Sequence, residues 1–379
     1  MTPYILQQRE FIQRLAKVNV AQKQTLVKRN KPLSHPLHIV YLLSNTSVCG
    51  GVKIILEHAH YLTKQGIKVT LLSHYIRPDW FPFEANYQTI PFDHDLVESI
   101  PPCDIIVATY WDHIQAAIDT HIAPVVYFEQ GDEQLFDRPS DNPVVNNFAD
   151  VQLSLPQFVM TVSHQAADAI DEFYHRKSHV IPNAINTSIF NTDTKPYQHT
   201  RPYLLMMGSD YIKFKGTDDI LAAYRLIQAD IPDIDLFWIT PYALSSNYPE
   251  VTKVFINPSQ ELIGSLYRGA LAFISASYYE SFSLPVLEAM SCGCPVVTTN
   301  TKGVTEYAKD YINCLFTPIG NCQQLAENMK KIVHDATLRE YIIAGGLATS
   351  KNYSWRATTK QLIEYYNEVA QYQDVQSPE

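Results

Sequence analysis

The chain is short of cysteine, of positive charge and of long apolar runs, and each shortage removes a class of protein. Six cysteines, Cys49, Cys103, Cys292, Cys294, Cys314 and Cys322, are scattered over 379 residues. They do not form the dense spacing of a disulfide frame, and reduced thiols in a cytoplasmic chain are expected. A single residue separates Cys292 from Cys294, fewer than in the usual zinc or thioredoxin spacing, so the pair reads as small residues where helix meets strand. No apolar run approaches the roughly 18 residues of a membrane span. The N-terminal stretch mixes charges with apolar residues, unlike a signal peptide. Net charge is −10, and it is unevenly placed. Residues 1–37 carry Arg9, Arg14, Lys17, Lys23, Lys28, Arg29 and Lys31 against the single acid Glu10. The body is therefore strongly acidic, which excludes nucleic acid as a partner.

What is present is a 46% hydrophobic chain long enough for two domains. Residues 4–29 read as a mostly polar helix with a narrow stripe of Phe11, Ile12, Leu15 and Val18, broken by Pro32 and Pro36. Strand 37–43, a Ser/Gly turn, helix 52–65 and strand 67–72 follow as a βαβ unit, which implies a parallel sheet. Strands at 104–108, 124–128, 160–163 and 179–181, with helices at 111–120 and 164–174, continue the pattern. Residues 182–202 read as a linker. A second series runs through strands 203–207, 236–240, 254–256, 271–276 and 295–298. Its helices are expected at 217–228, 259–267, 284–292, 322–333 and 355–372. The expected architecture is two Rossmann-like doubly wound α/β domains with a cleft between them. The expected boundaries are a basic helical extension 1–36, an N-terminal domain 37–182 completed by 355–372, and a C-terminal domain 183–354.

The chemistry concentrates in YYESFSLPVLEAMSCGCPVV, Tyr278 to Val297, where Glu280 and Glu288 are separated by seven residues. Ser283 is placed to cap a helix, with Pro285 in its first turn. The free N–H groups and dipole of that helix would make an anion site at Phe282, Ser283 and Leu284, beside Ser281. A strand delivers this turn to the carboxyl edge of the sheet, where open α/β sheets bind ligands. Carboxylates beside an anion site repel the anion but accept hydrogen bonds from hydroxyls. A nucleotide sugar satisfies both demands, with its diphosphate at the helix, ribose hydroxyls at Glu288 and sugar hydroxyls at Glu280.

The same residues resemble a known family. Glu280-x7-Glu288, then AMSCGCPVV and TKGVTEY, is similar to the signature of retaining glycosyltransferases of family 4, which have the GT-B fold. Cys49-Gly-Gly-Val-Lys53 resembles the family's N-terminal glycine loop. Val180-Ile-Pro-Asn-Ala-Ile-Asn186 with Phe190 resembles its linker motif, and Lys215-Gly216 its basic phosphate motif. Tyr353-Ser-Trp355 resembles the start of a last helix that crosses back to the N-terminal domain. The resemblance covers about residues 37–372. It implies transfer of a sugar from a nucleotide sugar with retention, by front-face attack and without a metal or other cofactor. Lys215, Lys213 and Glu280 become the catalytic candidates. Gly50, Gly51, Gly208 and Glu288 become donor-side residues, with backbone near Asn257 meeting the base.

The sequence departs from the family pattern at several places. Gly208-Ser209 stands where Gly-Arg is common, with Lys213 replacing an arginine near Lys215. Phe128-Glu-Gln-Gly131 stands where many members have a histidine, leaving Glu129 or Gln130, with His113 nearby, for the acceptor side. Asn257-Pro258 replaces a glycine.

Three other readings stay open. Glu280 and Glu288 could be the acid pair of a glycoside hydrolase, which needs about 5–9.5 Å between carboxyls. The chain could be a non-catalytic sugar-nucleotide-binding relative. Asp93-x-Asp95 and Asp233-x-Asp235 match the metal-binding pattern of the other transferase fold, although a turn explains the second more simply. The acceptor is a glycan, a polymer, a lipid carrier or a protein. The basic segment 1–31 either tethers the enzyme peripherally to the inner membrane face or an acidic polymer, or docks on the protein's own acidic body.

Overall fold

The β-branched and apolar runs of the first half assemble into one parallel sheet. The computed structural model describes residues 3–131, 135 and 142–376. The chain divides into one unit of Met1–Pro182 with Arg356–Glu379 and a second of Asn183–Trp355. In the first unit a short strand β1 (Leu26–Lys28) precedes β2 (His38–Leu43), β3 (Lys68–Ser73), β4 (Asn86–Thr89), β5 (Ile105–Ala108), β6 (Val125–Glu129), β7 (Phe158–Thr161) and β8 (His179–Val180). The seven-stranded sheet has the order β4-β3-β2-β5-β6-β7-β8, with every pair parallel. Every residue of β2 is buried, as expected of a strand covered on both faces by crossover helices.

The N-terminal segment differs from expectation. Its helix runs Pro3–Ala16 and stops there. The β-branched Val18 and Val20 form one tight turn instead of extending it, and β1 then pairs antiparallel with β15 (Tyr372–Asp374). Three of the four stripe residues turn inward. Phe11, Leu15 and Val18 pack on the first unit's core, and the Phe11 ring meets Trp111 at 6.1 Å and Phe148 at 5.5 Å. Ile12 alone stays outside, 61% exposed. Arg14, with its side chain 6% exposed, pairs with Glu10 at 3.3 Å, Asp95 at 3.2 Å and Asp112 at 3.0 Å. Residues 3–36 thus group with the first unit. Asp95 is held by this ion pair, and Asp235 pairs with His199 and Arg201, so each acidic pair contributes to a structural contact.

The last helix, Trp355–Val369, packs on the first unit. Tyr366 and Tyr41 share a hydroxyl hydrogen bond of 2.7 Å, and Tyr365 stacks on His179 at 4.5 Å.

The second unit has β9 (Tyr203–Met207), β10 (Asp235–Thr240), β11 (Lys253–Ile256), β12 (Ala272–Ser275), β13 (Val296–Thr299) and β14 (Leu315–Thr317). Their order is β11-β10-β9-β12-β13-β14, again wholly parallel. The stretch read as a linker is folded into this unit. Phe190 is fully buried, and its carbonyl accepts from Ser291 at 2.7 Å. Two helices escape sequence reading, Pro143–Ser154 and Ala336–Ser350. The second contains Gly345-Gly346, which reads as a breaker. A Cβ on Gly345 would lie 2.0 Å from the Ile312 carbonyl oxygen, so close packing demands glycine there.

Two buried imidazoles make the first unit sensitive to acid. Burial pushes His58 down to about 3 and His113 down to about 4 from the ordinary 6.5. Both rings take up protons more readily in the unfolded chain. Their contribution to stability is complete above about pH 6.5 and is lost as pH falls toward the folded-state values. His58→Phe keeps an aromatic ring against Phe128, which His58 stacks on at 5.1 Å. Urea unfolding at pH 7 and pH 5 should show a smaller acid loss in this variant, by up to roughly 2 kcal/mol from the 1.36 kcal/mol per pH unit of one proton. Equal losses in both proteins would remove His58 as a source.

Candidate active site

In the second unit the strand order reverses between β9 and β12, and the loops leaving the carboxyl ends of these two strands carry the site. The loop after β9 begins at Gly208, with φ +151° and a carbonyl that accepts from Trp238 Nε1 at 2.8 Å. It ends in the tight turn Lys213–Lys215 and Gly216, from which helix Thr217–Ile227 starts. Gly216 has φ +62°, and a Cβ there would lie 2.0 Å from the Ala276 carbonyl oxygen. A glycine after Lys215 is therefore what this geometry requires. The lysine side chain projects from the turn while the backbone passes against the end of β12.

The loop after β12 meets it. Lys215 Nζ donates to Glu280 Oε1 at 2.7 Å, and Ser277 Oγ donates to the same oxygen at 2.9 Å. The Tyr278 N–H donates to the Phe214 carbonyl at 2.7 Å, and the rings of Phe214 and Tyr279 stack at 4.4 Å. Lys215 Nζ lies 5.2 Å from the Phe214 ring centroid. The loops are thus joined by an ion pair, a backbone hydrogen bond and an aromatic stack.

Helix Leu284–Ser291 begins directly after this loop, with Pro285 in its first turn. Ser283 does not cap it as expected. It sits at φ +63°, ψ +77°, and its side chain makes no capping hydrogen bond. A non-glycine residue in this left-handed region costs roughly 1–2 kcal/mol. Two contacts hold it there. The Gly303 N–H donates to the Glu280 carbonyl at 2.9 Å, and Tyr307 Oη donates to the Ser283 carbonyl at 2.6 Å. Phe282 is buried beside Tyr307 and Tyr353. Glu288 lies within the helix, only 5% exposed.

The structure brings Lys215, Glu280, Ser281, Phe282, Ser283 and Leu284 to one edge, with Gly208 behind Lys215. Lys213 does not join them through any contact among the described residues. It is 75% exposed and pairs with Asp218 at 2.9 Å. Asn257, exposed with φ +44°, follows β11, and its N–H donates to the Thr240 carbonyl at 2.8 Å.

In the first unit the reversal falls between β2 and β5. Gly50 and Gly51 open helix Gly50–Lys64 after β2. A Cβ on Gly51 would lie 3.7 Å from Gln130 Nε2, so glycine loop and Gln130 are neighbours. Glu129 is turned inward, accepting from the Tyr127 hydroxyl and from the Gly131 N–H. His113, expected on the acceptor side, is instead buried beside Asp112 within the cluster that holds Arg14. Cys292 and Cys294 are buried thiols, and no group of three metal-ligating side chains occurs among the described residues.

Sequence reasoning assigned no role to Ser277, Phe214, Tyr279, Gly303 or Tyr307. The last two lie in TKGVTEY, which was legible as part of a signature but not as the brace of the turn.

Residues 190–348 match the model of a family described as Glycosyl transferases group 1. O-antigen chain mannosyltransferase B of Escherichia coli is 38% identical over 101 residues, 27% of this chain and 26% of that protein. D-inositol 3-phosphate glycosyltransferase of Saccharomonospora viridis is 30% identical over 128 residues, 33% of this chain and 29% of that protein. The matched stretch thus spans about a quarter to a third of these relatives. Sucrose-phosphate synthase of Thermosynechococcus elongatus superposes with a TM-score of 0.73 at 16% identity, over 88% of this chain and 99% of that one. Anabaena HepE in complex with UDP-glucose superposes with 0.72 at 16% identity, over 88% and 100%. The chain has the GT-B type of fold, with two parallel-sheet Rossmann-like α/β units, and it resembles group 1 glycosyltransferases in sequence.

Gly303, which braces the turn, is tightly surrounded. A Cβ there would lie 2.2 Å from the Glu280 carbonyl oxygen, whereas one on Gly50 meets nothing within 4 Å. Gly303→Ala should destabilise the chain by about 1–3 kcal/mol through overpacking, and Gly50→Ala should not. Thermal unfolding of the two variants checks this, and equal melting temperatures would contradict the close approach.

Proposed function

We propose that the chain is a retaining glycosyltransferase that moves a sugar from a nucleotide sugar to a glycan, polymer, lipid-linked or protein acceptor. The observation that carries this reading is the Lys215–Glu280 pair of 2.7 Å, set at the reversal of strand order beside the N-terminus of helix Leu284–Ser291. An ammonium and helix amides fit a diphosphate, and a carboxylate at their side fits sugar hydroxyls. The named activities of the relatives and the UDP-glucose bound to Anabaena HepE support the substrate class. A hydrolase needs no diphosphate site and leaves Lys215 without a task.

In this reading the bond between the anomeric carbon and the diphosphate oxygen breaks, and its electron pair stays on that oxygen. Lys215 and the first amides of the helix stabilise the charge that develops there. The acceptor hydroxyl attacks the same face of the sugar and passes its proton to the departing phosphate oxygen. Glu280 orients the sugar hydroxyls, and no divalent metal takes part. Lys213, paired with Asp218, has at most a long-range electrostatic share.

A thermal-shift panel of UDP-, GDP- and ADP-sugars, followed by turnover of the hits, tests the reading. Glu288→Ala should weaken binding of the matching nucleoside diphosphate by roughly 1.5–3 kcal/mol, the worth of a charged hydrogen bond. Turnover should persist in excess chelator. Unchanged nucleotide affinity in Glu288→Ala would remove its ribose role, and metal-reversible loss of activity would refute the metal-free scheme. Binding with no turnover of any donor would favour the non-catalytic alternative.

Localisation enters the same proposal. No helix among the described residues is long and apolar enough to cross a membrane. The solvent face of helix Pro3–Ala16 keeps Arg9 and Ile12 exposed, with Lys17 just beyond it, and this face would make peripheral contact with an anionic surface. Sedimentation with anionic vesicles should fall with salt and be lost in Arg9→Glu/Lys17→Glu. Equal pelleting of both proteins would refute the contact.

A further inference from the structure

We propose that Tyr307 is a positioning residue of the donor site, acting through Ser283 to aim the first amide of helix Leu284–Ser291. The proposal rests on the reading of that site as a diphosphate site. The peptide joining Ser283 to Leu284 carries both groups that matter. Its carbonyl accepts from Tyr307 Oη at 2.6 Å, and its N–H is the Leu284 amide, the first of the helix. In a trans peptide the C=O and N–H point in opposite directions. A phenol that holds the carbonyl on the protein side therefore holds the amide pointing away from it. That amide has no partner within the helix, since the first N–H groups of any helix are left over.

Tyr307 is built for this task and for little else polar. It is buried, and its ring packs against Phe282 at 5.3 Å and Tyr353 at 5.7 Å. Burial pushes its hydroxyl far above the ordinary range, so it remains a proton donor throughout the working pH range. It follows the tight turn Val304–Glu306, which starts beside Gly303. Gly303 grips Glu280 by its carbonyl, and Tyr307 grips Ser283 by its carbonyl. One short segment thus holds the turn at both ends. The grip is needed because Ser283 occupies the left-handed region at φ +63°. Without a partner on its carbonyl, the residue gains by rotating out of that region, and the Leu284 amide rotates with it.

The experiment measures UDP, GDP and ADP binding by calorimetry, donor kinetics and thermal unfolding for the full chain and its variants. Tyr307→Phe removes one oxygen and keeps the ring. It should weaken binding of the nucleoside diphosphate about tenfold and lower kcat/KM by at least as much, while remaining folded at the assay temperature. Ser283→Gly in the Tyr307→Phe background should recover most of the affinity, because glycine accepts positive φ without the brace. Ser283→Val leaves Tyr307 in place but disfavours the left-handed region, and it should reproduce the binding defect. A role confined to stability predicts otherwise. Melting temperature would fall with binding and kinetics intact, and Ser283→Gly would rescue nothing. Either of those results, or wild-type affinity in both Tyr307→Phe and Ser283→Val, overturns the proposal. A wild-type chain that binds none of the three diphosphates overturns the donor-site reading itself, and the positioning role with it.

Discussion

Glu280 accepts from Lys215 and Ser277 through one oxygen, and its own carbonyl accepts from the Gly303 amide. The second unit's site depends on this convergence. Lys215 arrives from the loop after β9, Glu280 from the loop after β12, and Gly303 from the loop after β13. Three consecutive positions in space are thereby tied by contacts that no single segment could make. The ion pair carries opposite charges next to each other, and in the proposed function a ligand's phosphate and hydroxyls would need them separately. Under that proposal the same two groups hold each other before a ligand arrives and divide it between them afterwards.

Glycine decides how closely these loops approach. At Gly216 and Gly303 an added methyl group would run into backbone, so both are fixed by close approach and not by turn preference alone. Ser283 is the opposite case. It occupies a conformation that favours glycine, without being glycine, and neighbouring contacts sustain it. Strain at such a point is kept only where the surroundings over-determine the backbone.

The first unit solves a different problem, the placing of a basic helix on an acidic body. Arg14 faces three carboxylates, those of Glu10, Asp95 and Asp112, and is nearly removed from water. Burying a charge is costly unless it is paired, and leaving the carboxylates without Arg14 would cost several kcal/mol. The aromatic contacts of Phe11 supply the apolar part of the docking. Further along the chain, β15 pairs with β1, so these two short strands are held in the same unit.

The parallel sheets, most strands and the Lys-Gly and Glu-x7-Glu motifs were legible in the sequence. Buried strands read as β-branched runs, and glycines mark turns, because these preferences act over a few neighbouring residues. The start of helix Leu284–Ser291 was legible for the same reason, since proline in a first turn is a local signal. That Ser283 does not cap it was not legible, because its left-handed backbone is sustained by contacts of Tyr307 and Gly303, which lie some 20 residues further along. The N-terminal segment shows the same limit. Its stripe and its charge could be read, but where the stripe and Arg14 would pack depended on partners, Trp111, Phe148, Asp95 and Asp112, far off in the chain. Helix Ala336–Ser350 was hidden because Gly345 serves packing against Ile312 and Gly346 packing against Met290, a reason that exists only once the segments touch. Local propensity and spacing thus determined the elements and the chemistry they carry. Long-range contacts decided which of those groups meet, since only they can outweigh a local preference by a few kcal/mol.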